Sequence, residues 1–407
     1  MACIPYSRQH ITEADIAAVT KVLRSDYLTQ GHALPAFETA FSAVHEVAHA
    51  VAVSNATAAL HLACLAMGMG PGKRVWTSPM SFLASANCAR YCGAEIDFVD
   101  IDASTGNLSV AALARRLEAA KAEGCLPDLL IPVDYAGLPC DLREMRALAD
   151  RYGFQILQDA SHATGACYLG RPVGAAWAHA TVFSFHAVKI VTTGEGGMVT
   201  TQDPALAERL RLLRSHGMVR EVAALQGAAD GPWYYEQQSL GYNYRMTEMQ
   251  AALGSSQLTR LGGMQAKRAA LADRYDSLLA GLPLTLPARV AQRQSSWHLY
   301  VVHLQASHFG AALPAERLRV FNALRDAGIG VNVHYIPIHT QPDYQRLGFK
   351  RGDFPAAEAF YAGAISLPLF PELSAADQDR VAQALRDALL APQALPTAST
   401  TACEATA

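Results

Sequence analysis

The sequence predicts an α/β protein: a mainly parallel sheet with helices on both faces, followed by a smaller α+β unit. Two observations carry this. Short apolar strands alternate with helical segments through roughly the first 250 residues, the pattern of strand-helix-strand units. Beyond about residue 255 the alternation gives way to long helices between isolated strands. Bulk composition agrees. With 407 residues the chain is long enough for two or three domains, and at 51% hydrophobic and 17% charged it can bury a large core. A net charge of −3 offers no field for nucleic acid, so an anionic ligand has to be held by local donors.

In order along the chain, Thr12 and Asp15 form a capping box ahead of a helix carrying Ile16, Val19 and Leu23. Strands are predicted at 50–53, 74–77, 95–100, 129–133 and 154–157, and 54–60 reads as a turn opening a helix. The smaller unit is predicted as one long helix over 258–279, a strand at 297–302, a helix at 317–327 stopped by Gly328, a strand at 331–336 and a final amphipathic helix at 375–390. This divides the chain into a large domain (1–254), a small domain (255–391) and a tail at 392–407. The tail is rich in Ala, Thr, Ser and Pro and is expected to be disordered.

No apolar run reaches the roughly 18–20 residues that span a bilayer, and residues 1–6 lack the basic and apolar regions of a signal peptide. The eight cysteines are scattered without a Cys-x-x-Cys pair, which suits free thiols in a reducing cytoplasm. The 14 histidines show no ligand spacing, so no metal site is expected.

In open parallel sheets, ligands collect beyond the carboxyl ends of the strands. Lys189 reads as the end of one such strand. Phe183, Phe185 and Val188 precede it, and Ile190 and Val191 follow before the turn Thr192-Thr193-Gly194-Glu195-Gly196-Gly197. An ammonium is costly in that setting, which makes Lys189 a Schiff-base candidate, against the ordinary reading of a solvated lysine. Asp159 ends the strand Phe154-Gln155-Ile156-Leu157-Gln158. It serves as a helix N-cap or as the partner of a pyridinium nitrogen. The turn at Ala56 and Thr57 is an anion site or an ordinary cap. Ser184 offers a hydroxyl. Phe82 stacks on a flat ring or fills the core. His162 packs on a cofactor or caps a turn. A strand-end lysine with a strand-end carboxylate is what pyridoxal phosphate (PLP) requires.

Taken in order, phosphate turn, aromatic, Asp-x-x-His-x-x-Gly and Ser-x-x-x-x-Lys resemble the nucleotide-sugar aminotransferases of the DegT/DnrJ/StrS group, fold-type I PLP enzymes. The resemblance runs from about Ile4 to about residue 390. It implies a seven-stranded type of sheet, a covalent imine at Lys189 and a pyridinium contact at Asp159. It also implies a phosphate held by Ala56, Thr57 and Ser184, a ring stacked on Phe82, and pyridoxamine phosphate as the intermediate cofactor form. Tyr6 with Tyr27, Leu28 and Thr29 resembles the family's N-terminal substrate segment. Leu240-Gly241-Tyr242-Asn243-Tyr244-Arg245-Met246 resembles the loop that enters the partner's site, so Asn243 implies a homodimer with shared sites. Asn332, His334 and Tyr335 resemble the segment facing the nucleotide sugar. Arg245 is a candidate for the substrate's anionic groups, or a surface arginine.

Ala187 two residues before Lys189, Asp134 where many relatives have histidine, and Arg214-Ser215-His216-Gly217-Met218 look most like the pseudaminic acid branch. That branch moves an amino group from L-glutamate to C4 of UDP-4-keto-6-deoxy-N-acetyl-β-L-altrosamine. Other readings are an aminotransferase for a bacillosamine, legionaminic or dTDP-sugar precursor, a PLP sugar dehydratase, and a sensor without turnover. Lys189 argues against the dehydratase, whose relatives carry histidine there.

Overall fold

The structure is a computed structural model that describes residues 3–174 and 176–390. The segment 392–407, expected to be disordered, lies outside the described residues. The apolar strand segments assemble into one seven-stranded sheet: β1 (His49–Val53), β2 (Arg74–Thr77), β3 (Glu95–Phe98), β4 (Leu129–Ile131), β5 (Gln155–Asp159), β6 (Ala180–Ser184) and β7 (Gly197–Thr201). Their order is β1-β7-β6-β5-β4-β2-β3. The pairings are parallel except for those of β7, which runs against both β1 and β6.

Alternation along each strand feeds three cores. Val51, Val53, Ile131, Leu157, Val182 and Val199 face helices Ala56–Ala66 and Pro204–Arg214. Ala50, Ala52, Phe183 and Met198 face helices Ala33–His45 and Glu248–Leu258. Trp76, Leu130 and Ile156 face helices Val110–Glu123 and Leu142–Tyr152. Burial on both faces explains why these strands read as nearly continuous apolar runs. A second, antiparallel sheet joins β8 (Leu284–Thr285), β9 (Tyr300–Leu304) and β10 (Ala364–Leu367) in that order. Helices Leu261–Leu278, Leu313–Asp326 and Ala375–Leu390 pack on it. Ile4 joins that core and pairs with Ile329, tying the start of the chain to this second sheet.

The capping box forms, with the Thr12 N–H donating to Asp15 Oδ2 at 2.8 Å. Four expectations change. The strand before Lys189 ends at Ser184, because Phe185 leaves the ladder to meet Gly196 across a turn. Residues 258–279 hold a break at Thr259 and Arg260 between helices Glu248–Leu258 and Leu261–Leu278. The strand expected at 297–302 is shifted to β9, because Trp297 has a φ of 52°. Residues 331–336 form no strand beyond a bridge between Asn332 and Ser366. The described cysteines are free thiols, and no helix of the described residues is long and apolar enough to cross a membrane.

Gly197 opens β7 against the start of helix Ala56–Ala66. A Cβ there would lie 2.6 Å from the Asn55 carbonyl carbon and 2.8 Å from the Ala56 nitrogen. Backbone on both sides cannot yield cheaply. Gly197→Ala is therefore expected to lower the unfolding free energy by about 1–3 kcal/mol, read from a denaturant titration. An unchanged midpoint would show that the turn relaxes without cost.

Candidate active site

The carboxyl ends of the parallel strands bring the predicted residues to one edge. Helix Ala56–Ala66 starts beyond β1. The Asn55 side chain accepts from the Ala58 N–H at 2.8 Å and its carbonyl takes Ala59, leaving the N–H groups of Ala56 and Thr57 without an acceptor among the described residues. Free N–H groups at a positive helix end are able to receive an anion. Ser184 ends β6 opposite Gly197, at the same edge as Ala56. Asp159 ends β5 and is 3% exposed. Its Oδ2 accepts the Ser85 hydroxyl at 2.6 Å, and its Oδ1 accepts the Ser161 hydroxyl at 2.5 Å and the Ser161 N–H at 3.0 Å. No helix follows, so Asp159 is not an N-cap.

Lys189 sits on the turn after β6, its N–H bonded to the His186 carbonyl at 2.9 Å. The residue is partly exposed, yet its amine is enclosed. Burial pushes that amine down to about 8, against the opposing pull of Asp159. A buried ammonium would be unfavourable among other cations, and the neighbouring histidines are neutral. Burial holds His162 and His298 well below the usual histidine range and His334 down to about 4, with the Lys189 charge adding to each. The neutral His162 ring accepts the Ala136 N–H at Nδ1, 3.2 Å away. Its proton therefore lies on Nε2, which donates to Tyr335 Oη at 3.0 Å. Tyr335 lies nearly parallel to that ring, and Phe82 lies 6.3 Å from Tyr335. Phe82 is 59% exposed, so it is no core aromatic and keeps a face free. Tyr6 packs 5.9 Å from His334.

The segment carrying Tyr335 docks on the loop after β2. The Tyr335 N–H meets Met80 Sδ at 3.4 Å, and the Ile338 N–H donates to the Pro79 carbonyl at 2.9 Å. Gly137, with a φ of 99°, lets two further segments approach. A Cβ there would come within 2.9 Å of the His162 carbonyl and 3.1 Å of the His298 nitrogen. His298, Ser81 and Ser85 belong to the site and were not singled out from the sequence. The four-residue spacing of Ser81 and Ser85 just past a strand was the available signal; His298 was hidden inside an expected strand.

Other predicted residues stand apart. Tyr27, Leu28, Thr29 and Asn243 are exposed, and none makes a hydrogen bond or ring contact with the Lys189 group. They form their own assembly: the Glu248 N–H bonds the Leu28 carbonyl at 3.0 Å, and the Tyr244 carbonyl takes the Ser54 N–H at 2.8 Å. Arg245 Nε is buried without a partner among the described residues. Asn332 is exposed on the bridge to Ser366.

A family model for the DegT/DnrJ/EryC1/StrS aminotransferases matches residues 9–386. The chain belongs to that family. It is 40% identical to the spore coat polysaccharide biosynthesis protein SpsC of Bacillus subtilis, over 94% of this chain and 96% of the relative. Helicobacter pylori PseC, an aminotransferase involved in pseudaminic acid biosynthesis, superposes with a TM-score of 0.86 at 32% identity, covering 95% of this chain and 99% of that one. A sugar aminotransferase of Streptococcus pneumoniae, Spr1654, in its pyridoxamine phosphate form superposes at 0.85 and 31% identity, covering 95% and 98%. The protein is thus a PLP-dependent sugar aminotransferase of the fold-type I class.

The depressed Lys189 amine has a measurable consequence. Only a neutral amine attacks an aldehyde, so imine formation between apoprotein and PLP is expected to accelerate with a midpoint near pH 8, rather than near the ordinary lysine value of about 10.4. Stopped-flow absorbance of the imine band follows it. A midpoint near the ordinary value would contradict burial as the cause, and Lys189→Ala should show no band.

Proposed function

We propose that this aminotransferase moves an amino group from L-glutamate to C4 of a UDP-4-keto-6-deoxy-N-acetylhexosamine, with the L-altro sugar of pseudaminic acid synthesis as its substrate. The reading is carried by a lysine amine set near 8 by burial, beside an enclosed carboxylate and a free helix N-terminus at one sheet edge. The residues present suit PLP. When bound, PLP supplies the electron sink that makes the α-carbon of an amino acid acidic.

The chain's own groups have these roles. The N–H groups of Ala56 and Thr57, with the Ser184 hydroxyl, bind the cofactor phosphate. Phe82 and His162 hold the ring plane. Asp159 keeps a proton on the ring nitrogen. Lys189 Nζ, neutral at a pH just above 8, takes the proton from the α-carbon of glutamate and releases it again, as a group poised near working pH does best. His334, Tyr335 and Tyr6 line the side where the sugar enters, with Asn332 at its rim. Neutral imidazoles there can donate to hydroxyl or carbonyl oxygens without repelling the lysine.

Tyr27, Leu28, Thr29, Asn243 and Arg245 act in a second copy of the chain. The exposure of Tyr27, Leu28, Thr29 and Asn243, and their lack of contact with this chain's Lys189 group, support a homodimer with shared sites. Arg245, with no carboxylate partner among the described residues, suits the substrate diphosphate or the carboxylate of glutamate. Co-expression of Lys189→Ala with Asn243→Ala tests this. Each variant alone should be inactive, while mixed dimers restore one intact site and about a quarter of wild-type activity. Absence of recovery would mean that each site is complete within one chain.

The L-altro assignment is supported by the Helicobacter pylori neighbour, described as acting in pseudaminic acid biosynthesis. The Bacillus relative, more similar in sequence, is named for spore coat polysaccharide instead. An amination assay with glutamate and the two UDP-4-keto-6-deoxy-HexNAc epimers decides. Preference for the L-altro compound is expected, and preference for the D-gluco-like compound would assign the bacillosamine type of substrate.

A further inference from the structure

One turn of chain after β2 serves two parts of the site. The Ser85 N–H bonds the Phe82 carbonyl at 3.3 Å, so Phe82 and Ser85 belong to one rigid turn at the start of helix Ala84–Tyr91. Phe82 presents its ring outward from this turn. Ser85 points inward and donates to Asp159 Oδ2 at 2.6 Å. A hydroxyl has one proton. With that of Ser85 spent on Asp159, the 2.7 Å contact between Ser81 and Ser85 has Ser81 as its donor. The result is a directed chain from Ser81 to Ser85 to the carboxylate, enclosed throughout: Ser81 is 4% exposed and Ser85 1%. Hydroxyls linked this way polarise one another, so the terminal donor is stronger than a lone serine.

The nearby Asp134 carboxyl cannot take over the role. Its Oδ1 accepts the Cys140 N–H at 2.9 Å and its Oδ2 accepts Gln158 Nε2 of β5 at 2.6 Å, so both oxygens are engaged by other donors.

We propose that Ser85, backed by Ser81, is a positioning residue that fixes the Asp159 carboxylate and draws charge from its Oδ2, so that the proton shared with the cofactor's ring nitrogen resides on nitrogen. This rests on the reading of Asp159 as the ring-nitrogen partner. The physical reason is a competition for one proton. A carboxylate stripped of its hydroxyl donor in a buried site is a stronger base and pulls that proton toward oxygen. A ring nitrogen without its proton is a poorer electron sink. The same turn carries Phe82, so the residues that would hold the ring plane and the nitrogen contact are set together.

The test is the nitrogen-15 signal of ring-labelled PLP bound to the holoenzyme. In wild type it should lie at the protonated value. In Ser85→Ala it should move toward the unprotonated value, with turnover down roughly 10- to 100-fold. Ser81→Ala, which leaves the Asp159 contact in place, should move it in the same direction by less. Asp159→Ala serves as the reference for full loss. An unmoved signal in Ser85→Ala beside a moved one in Asp159→Ala overturns the relay while sparing the reading of Asp159. An unmoved signal in Asp159→Ala overturns both. Loss of turnover in Ser85→Ala without any change in the signal would mark the serine as packing only, and likewise overturns the proposal.

Discussion

The arrangement depends on one enclosed carboxylate at the end of a central strand. Burying a charge costs several kcal/mol unless hydrogen bonds and an opposite charge match it. Asp159 meets that demand with Ser161 from its own turn and Ser85 from the turn after β2, and it faces the Lys189 amine. The loop after β2 is thereby drawn against β5. That same loop receives the Tyr335–Ile338 stretch through Met80 and Pro79, so the second sheet's connecting segments are anchored to the site through the same element.

Charge around the lysine is kept low by enclosing bases rather than by adding acids. His162, His298 and His334 are all held neutral by burial, and His162 has its tautomer set by the Ala136 N–H. Behind them lies Arg268, 1% exposed and without a carboxylate partner among the described residues. Its guanidinium donates to the carbonyls of Trp297, His298 and Leu369, holding the backbone on which His298 rides; Leu369 in turn donates its N–H to the Tyr6 carbonyl. Burial drives this arginine down to about 10, still charged at neutral pH, and carbonyl dipoles alone compensate it.

Much of this was legible residue by residue. Asp159 and Lys189 stood out because charged side chains within apolar runs are expensive, and both lie at the predicted edge. The Ala56–Thr57 turn was visible as a strand followed by small residues opening a helix. Ser85 was not, because a serine in a helical first turn has many uses and only the fold brings it beneath a carboxylate 74 positions away. His298 was absorbed into an expected strand, since local pattern cannot register that Trp297 takes a left-handed backbone conformation against Arg268. The 331–336 stretch has strand-like residues but finds no ladder partner beyond one bridge, because its neighbours are the β2 loop and Tyr135, whose hydroxyl donates to the His334 carbonyl.

The sequence by itself determined the alternation of buried strands and helices, and it singled out Lys189, Asp159 and the Ala56–Thr57 turn as one candidate group. Each rests on local periodicity or on the cost of a charge among apolar neighbours, and both are properties of a short window. Only the tertiary structure decided that Lys189 lies beyond its strand, that its surrounding histidines are neutral, and that two serines reach Asp159. Those facts depend on burial and on contacts between segments far apart in the chain, where the dielectric surroundings and the available donors are set by packing.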